Sequence, residues 1–309
     1  MTVWAERAAA SSRALVTAYW DDRRDLFRIV HPRPRVPSLR WHYWWQAHAL
    51  DSLVLAGDGD RARRLVLGVL HRNGGRITND YYDDMAWMGL ALQGASAAGL
   101  LPVSALVDEL MAQLHEGFDA EHGAVLWRRK DTYLNIAANA PAAILAARAG
   151  DRPFAERIAD WLHRTLVSAD GVVLDGVHPG RPAVDSTWTY NYGTVIGADV
   201  ALGELDRART VAATAVQRLT GPDGLLRDEG GGDGGLFKGV FARHLGALIT
   251  ATGDADLRAL LVRNAESAWE SRSPDGLTGP DWSRPPDGPV ELSTHLSGVL
   301  LLHTVASIS

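Results

Sequence analysis

Apolar residues recur at intervals of three and four through twelve stretches of the chain, most of them bounded by Gly, Pro, Asp or Asn. The pattern predicts helices near residues 3–20, 41–56, 59–72, 81–98, 103–115 and 135–149. It predicts six more near 152–166, 188–204, 206–219, 237–252, 255–271 and 292–306. No segment alternates for long enough to read as a strand. Ala124-Val125-Leu126-Trp127 and Val172-Val173-Leu174 have the composition of short hairpin arms. The connections alternate in length. Tight turns containing glycine, such as Ala56-Gly57-Asp58 and Thr252-Gly253-Asp254, follow helices two, four, six, eight and ten. Segments rich in Gly, Pro and Asp, at 21–40, 73–80, 116–134, 167–187, 220–236 and 272–291, precede each even-numbered helix.

Short–long alternation with a period of roughly 50 residues is the pattern of stacked helical hairpins. An open solenoid and a closed ring share it. The last predicted helix, Leu292 to Ala306, is as apolar as an interior one, whereas a terminal solenoid cap turns a polar face outward. The expectation is therefore all-α: an (α/α)6 toroid of six helical hairpins, forming a single domain over 1–309. In such a ring the even helices line the inside, and their N-termini open at one end. The six long segments gather at that same end, which fixes where chemistry is to be sought.

Composition narrows the function classes. A net charge of −6 gives no electrostatic footprint for a nucleic-acid partner. The absence of cysteine removes disulfides, zinc fingers and thiol catalysis together. No run approaches the ~20 apolar residues of a membrane span. Met1-Thr2-Val3-Trp4-Ala5-Glu6-Arg7 lacks the basic start and apolar core of a signal peptide, so a cytoplasmic monomer is the expectation. The histidines have no metal-ligand spacing, and neither a metal nor a cofactor is expected. Gly230-Gly231-Gly232-Asp233-Gly234-Gly235 contains a G-x-G-x-x-G, but no strand precedes it, and it reads as a flexible rim loop. Asp21-Asp22, at the end of helix one, reads as solvated. The 11 tryptophans suit either helix packing or sugar stacking.

One inner helix start carries two adjacent carboxylates. Between Asn79 and Leu92, the residues Tyr82, Met85, Met88, Gly89 and Leu92 form a packing stripe. Asn79 or Asp80 is placed to cap the helix, and Asp83 and Asp84 fall in its first turn. The helix dipole favours carboxylates there whether or not they react. Tyr81, Tyr82 and Trp87 around them are more aromatic surface than an exposed helix start needs.

The other even-numbered starts are similarly furnished. Helix two brings Trp41, Trp44, Trp45 and His48. Trp127, Arg128 and Tyr133 precede helix six, which buries Asn139 among alanines. Helix eight opens with Asp185, Trp188, Tyr190 and Asn191, helix ten with Lys238 through Arg243, and helix twelve with Glu291 and His295. Each has a bland alternative: core packing for the tryptophans, an internal hydrogen bond for Asn139, capping or surface charge for the rest. Recurrence at one end favours a carbohydrate cleft. The candidate substrate-binding residues are Trp41, Trp44, His48, Tyr82, Trp87, Trp127, Asn139, Asp185, Tyr190, Asn191, Lys238 and Arg243, and the candidate catalytic residues are Asp83 and Asp84.

Two carboxylates in such a cleft suit glycoside cleavage, with about 5–5.5 Å between them indicating retention. Adjacent helical positions diverge by about 100°, yet two short first-turn side chains can meet that spacing. Like-charge proximity raises one pKa and leaves an acid beside a nucleophile.

These residues also resemble a known family. Tyr81-Tyr82-Asp83-Asp84-Met85-Ala86-Trp87-Met88-Gly89-Leu90-Ala91-Leu92 is similar to the Asp-Asp motif of glycoside hydrolase family 76, the α-1,6-mannanases. Three further blocks follow in the family's order: Asp131-Thr132-Tyr133-Leu134-Asn135 through Asn139-Ala140-Pro141, Thr189 through Gly197, and Phe237 through Arg243. The resemblance implies an (α/α)6 fold and retaining endo-hydrolysis of α-1,6-linked mannose backbones, in mannan or manno-oligosaccharides. It assigns Asp83 as nucleophile and Asp84 as general acid/base, an order the spacing does not supply. Tyr192 departs from the family's Gln, and Leu134 from its frequent Lys. Some members are thought to transfer mannan chains, so a transglycosidase stays open. An (α/α)6 sugar epimerase using His48, His244 or His295, and a non-catalytic glycan-binding toroid, are the alternatives from other classes.

Overall fold

Each predicted helix forms. A computed structural model describes residues 2–35 and 41–309, so stretch 36–40 of the first long segment lies outside the described residues. The helices of the first half are α1 (Val3–Tyr19), α2 (Tyr43–Leu55), α3 (Gly59–Arg72), α4 (Tyr82–Ala97), α5 (Ser104–Glu116) and α6 (Ile136–Ala149). Those of the second half are α7 (Arg152–Thr165), α8 (Thr189–Leu202), α9 (Leu205–Leu219), α10 (Gly234–Thr252), α11 (Ala255–Glu270) and α12 (Leu292–Ile308). The even helices are apolar almost all round and the odd ones carry one apolar stripe, which sorts them into an inner and an outer layer. Around the inner layer α2 touches α4, then α6, α8, α10 and α12 follow in turn, and α12 returns to α2. The structure is the (α/α)6 ring the alternation predicted.

Glycine sets how closely the inner helices approach. A Cβ at Gly239 on α10 would lie 2.5 Å from Ser297 Cα on α12, so no larger residue fits that crossing. The start of α10 is three residues earlier than the periodicity indicated, for a related reason. A Cβ at Gly234 would sit 2.1 Å from the Glu229 carbonyl oxygen, so the glycines there serve close packing and do not break the helix.

Among the described residues, eight two-residue strands dress the open end: β1 (Trp20–Asp21), β2 (Leu26–Phe27), β3 (Val30–His31), β4 (Phe118–Asp119), β5 (Ala124–Val125), β6 (Leu134–Asn135), β7 (Gly176–Val177) and β8 (Val290–Glu291). Of the two suggested hairpin arms, Ala124-Val125 forms β5 against β4, while Val173 makes only a single bridge to Val167. The pairing of β6 with β7 ties the segment before α6 to the segment before α8. The pairing of β3 with β8 joins the first long segment to the last, with Val30 opposite Glu291 and His31 opposite Val290. Tyr19 donates its hydroxyl to the Val290 carbonyl at 3.0 Å, and α1 covers α12, so the chain's two ends close the ring. Asp21 is buried at the end of β1 and only Asp22 is exposed, paired with Arg64, which corrects the expectation that both are solvated. Among the described residues no helix is long and apolar enough to cross a membrane.

Candidate active site

The first turn of α4 is assembled by its neighbours and lacks a side-chain cap. Tyr81 occupies the cap position with extended backbone and no side-chain cap bond, so neither Asn79 nor Asp80 caps as expected. Asn79 accepts the Tyr81 N–H at 2.8 Å and donates its amide to Asp84 Oδ2 at 2.7 Å. The Tyr82 N–H donates to the Trp127 carbonyl at 2.9 Å, which lays the segment before α6 across the helix start. That contact brings the Trp127 indole N–H to Asp83 Oδ2 at 3.2 Å. Asp83 Oδ1 is shielded from solvent and has no hydrogen-bond partner among the described residues. An unpaired carboxylate oxygen in such a place is costly unless a ligand uses it.

The two carboxyls differ in proton affinity. Burial pushes Asp83 up to about 6, against the first-turn amides and the Trp127 indole, which favour its charged form. Burial and then the charge of Asp83 push Asp84 well above the usual carboxylate range, against Asn79 and the Trp44 main-chain N–H. The charge of Asp233 works upward on both. Of the two, Asp84 is the better keeper of a proton.

Aromatic rings line the cleft beside this pair. Trp87 and Trp44 lie 6.5 Å apart, Trp44 and Phe237 6.2 Å, and Phe237 contacts Trp188 at 5.6 Å and Tyr190 at 4.4 Å. Tyr190 and Tyr133 both donate their hydroxyls to Asp175, at 3.1 and 2.6 Å, and Asn191 donates its amide to the same carboxylate at 3.3 Å. Tyr133 stands edge-on to Trp127 at 6.1 Å, so the row runs on to the indole that reaches Asp83. The belt draws on α2, α4, α8, α10 and the segment before α6. Flat apolar faces edged with hydroxyls and carboxylates suit pyranose rings.

Of the candidate residues, Trp44, Trp87, Trp127, Tyr190 and Asn191 join Asp83 and Asp84 in this belt. His48 lies beneath, 4.7 Å from Trp87, and burial lowers its imidazole to about 4, so it is neutral. The remaining candidates sit elsewhere. Tyr82 packs against Gly117 and under the Arg129 guanidinium. Trp41 lies tilted against Tyr43 at 5.8 Å and lines a cavity of about 450 Å³ between the first long segment and α3. Asn139 is consumed by the backbone: its amide accepts the Val125 N–H at 2.7 Å and donates to the Val125 and Asn135 carbonyls. Lys238 is 1% exposed, with its ammonium 4.1 Å from the Trp282 ring centre. Arg243 pairs with Asp51 at 3.2 Å, deeper in the ring beside a cavity of about 60 Å³. Asp185 is exposed in the segment before α8.

The histidines offered for an epimerase are built into the wall. His244 abuts Gly197 and is held neutral by burial, and His295 Nδ1 accepts the Thr278 N–H at 3.1 Å between α12 and α1. The two departures from the family pattern, Tyr192 and Leu134, are both buried.

Asp175, Asp233, Phe237 and Trp188 belong to the site although they were not among the candidate site residues. Phe237 and Trp188 stand at even-numbered helix starts and needed only to be weighed with their neighbours. Asp233 is the one side chain in a run of glycines. Nothing local marks Asp175, which reaches the site through the β6–β7 pairing across two loops.

Comparison with known proteins agrees with this geometry. Residues 3–304 match glycosyl hydrolase family 76. The α-1,6-mannanase GH76A of Salegentibacter sp. HEL1_6 superposes with a TM-score of 0.91 at 30% identity, over 99% of this chain and 100% of that one. A variant of that enzyme, inactive through replacement of two adjacent aspartates, was solved with α-1,6-mannotriose. A protein from Listeria innocua matches equally, with a TM-score of 0.91 at 30% identity over 99% and 98% of the two chains. At 18% identity and a TM-score of 0.68, Dfg5 of Chaetomium thermophilum shares the fold over 87% of this chain and 80% of its own. No curated protein sequence matches the chain.

Proposed function

The chain belongs to glycosyl hydrolase family 76 and is a glycoside hydrolase, and we propose that it is a retaining endo-α-1,6-mannanase with Asp83 as nucleophile and Asp84 as general acid/base. The observation that carries the reading is an adjacent carboxyl pair of unequal proton affinity, with the Trp127 indole on Asp83 and a row of aromatic rings beside it. Asp83, ionised above about 6 and with Oδ1 unpartnered, is suited to attack an anomeric carbon. Asp84, raised well above the usual carboxylate range by burial and the charge of Asp83, is suited to hand a proton to the departing glycosidic oxygen. In the second half of the cycle Asp84, now a carboxylate, takes a proton from the water that releases the sugar from Asp83. Two inversions give net retention.

The substrate class rests on likeness to the Salegentibacter enzyme, solved with α-1,6-mannotriose and α-1,6-mannotetrose after loss of two adjacent aspartates. In this chain the Asp-Asp at the mouth of the ring is the one surrounded by sugar-stacking rings. The other, Asp21-Asp22, lies at β1 among arginines. Linear α-1,6-manno-oligosaccharides of graded length, followed for product size and anomeric configuration, test the proposal. Internal cleavage to α-configured ends is expected, with Asp83→Asn and Asp84→Asn each at least about 10³-fold slower. Wild-type rates in either variant, or β-configured first products, would sink the assignment. Adding methanol as acceptor separates hydrolysis from transfer.

A further inference from the structure

The Gly230–Gly235 run enters the mechanism as a strap. Asp233 holds the capping position of α10 yet makes no cap bond. An Asp there ordinarily accepts first-turn N–H groups. Its Oδ1 instead accepts the indole N–H of Trp44 and of Trp45, each at 2.9 Å. Those two tryptophans stand on α2, which is not the neighbour of α10 in the ring, because α12 lies between them. The junction of α12 with α2 is the most sparsely packed of the inner ring, and the strap spans it at the mouth. The strap is itself held on both sides. The Gly230 N–H donates to Asp228 at 2.8 Å, and the Gly232 N–H donates to Glu291, the residue that precedes α12. The expected flexible rim loop is thus a tied segment.

We propose that Asp233 is a positioning residue for the glycosidase reaction, acting through Trp44. Fixing the Trp44 indole does two things. It sets the plane of a ring in the belt, between Trp87 and Phe237. It also holds the Trp44 main-chain N–H on the Asp84 carboxyl, so the acid is oriented from α2 as well as from Asn79. The charge of one exposed carboxylate shared by two indoles gives the bonds their strength without burying an ion.

The inference rests on Asp83 and Asp84 being the catalytic pair, and the experiment keeps the two apart. Asp233→Asn retains an oxygen that accepts both indoles, whereas Asp233→Ala does not. With α-1,6-mannotetraose, Asp233→Ala is expected to lower kcat/KM at least tenfold, with KM rising as the Trp44 platform loosens, and Asp233→Asn to restore it to within about threefold of wild type. Acrylamide quenching of tryptophan fluorescence should increase in Asp233→Ala and not in Asp233→Asn. Trp44→Phe keeps a ring and removes the donor, so it should cost about as much as Asp233→Ala, and the double variant no more. An Ala variant within threefold of wild type, an Asn variant as impaired as Ala, or additive losses in the double variant overturns the proposal. Should Asp233→Ala fail to fold, Trp44→Phe must still lose at least tenfold in kcat/KM while Asp233→Asn stays within threefold, and either failing overturns the proposal too. A wild-type protein inert on α-1,6-oligomannosides would refute the substrate assignment alone, and the quenching comparison would still test the strap.

Discussion

Trp127→Phe isolates one hydrogen bond in the chemistry. The substitution keeps a ring at the edge of the belt and removes the indole N–H that Asp83 Oδ2 accepts at 3.2 Å. A bond to a charged acceptor contributes about 1.5–3 kcal/mol, and at this length the lower end applies, about one pKa unit. The bond favours the ionised carboxylate, so its loss raises Asp83 above its present value of about 6, to about 7. The acid limb of kcat/KM reports the free enzyme's essential base. At pH 5 the ionised fraction then falls from roughly a tenth to roughly a hundredth, while at pH 8 it falls by less than about a tenth. The assay is kcat/KM for α-1,6-mannotetraose from pH 4 to 9 on both proteins. An acid limb displaced upward by about one unit, with rates converging at high pH, is the expected outcome. Equal losses at pH 5 and pH 8 would mean that Trp127 acts only as a platform. A limb that stays in place would refute the role given to the hydrogen bond.

Four further perturbations separate structure from function. The double variant Asp83→Asn, Asp84→Asn should melt a few degrees higher than wild type at pH 7: both carboxyls are raised by burial, so the folded state loses stability as pH climbs above about 4. At pH 4 the gain should vanish, and a gain independent of pH would point away from these groups. Asn139→Ala should cost about 2–4 kcal/mol in urea unfolding, because it strands the Val125 N–H and two carbonyls, and it should leave KM alone. Asp185→Ala should change neither quantity, and a raised KM in either variant would return that residue to the sugar site. Lys238→Met should raise the melting temperature at pH 7. Burial lowers this ammonium from 10.5 to about 8, so its charge weakens the fold below pH 8 and ceases to matter above about pH 10.5. The gain should shrink by pH 10, and a loss at pH 7 would mean that the cation–π contact with Trp282 outweighs the desolvation.

The architecture was legible because two independent periodicities agreed, the three-to-four spacing within helices and the short–long alternation between them. Composition then sorted inner from outer: α6 and α12 carry apolar residues on every face, as only an interior helix can. The carboxyl pair proposed as catalytic stood out through its aromatic company. Direction was harder to read. Tyr82 and Asp83 are adjacent, yet one packs against Gly117 and the other faces the cleft, since successive helical residues diverge by about 100°. Asn139 and Lys238 have the residue types of a sugar site, but pairing with the backbone or with Trp282 is settled by three-dimensional neighbours. Asp175 illustrates the same limit from the other side, because a loop residue becomes a site residue through a strand pairing too short for any sequence pattern to announce.

The β3–β8 junction has a kinetic meaning. Five of the six inner contacts join hairpins that follow one another along the chain and can form as local units. The seam alone joins residues separated by some 270 positions, as in the Tyr19–Val290 bond. Loop closure grows only logarithmically with length, so this costs about 1–2 kcal/mol more than closing a single repeat, but it must wait until both ends exist. Glu291, at that seam, also anchors the glycine segment bearing Asp233. Closure of this seam is therefore expected to finish the mouth of the ring, and recovery of glycosidase activity after dilution from denaturant should lag behind recovery of helical signal.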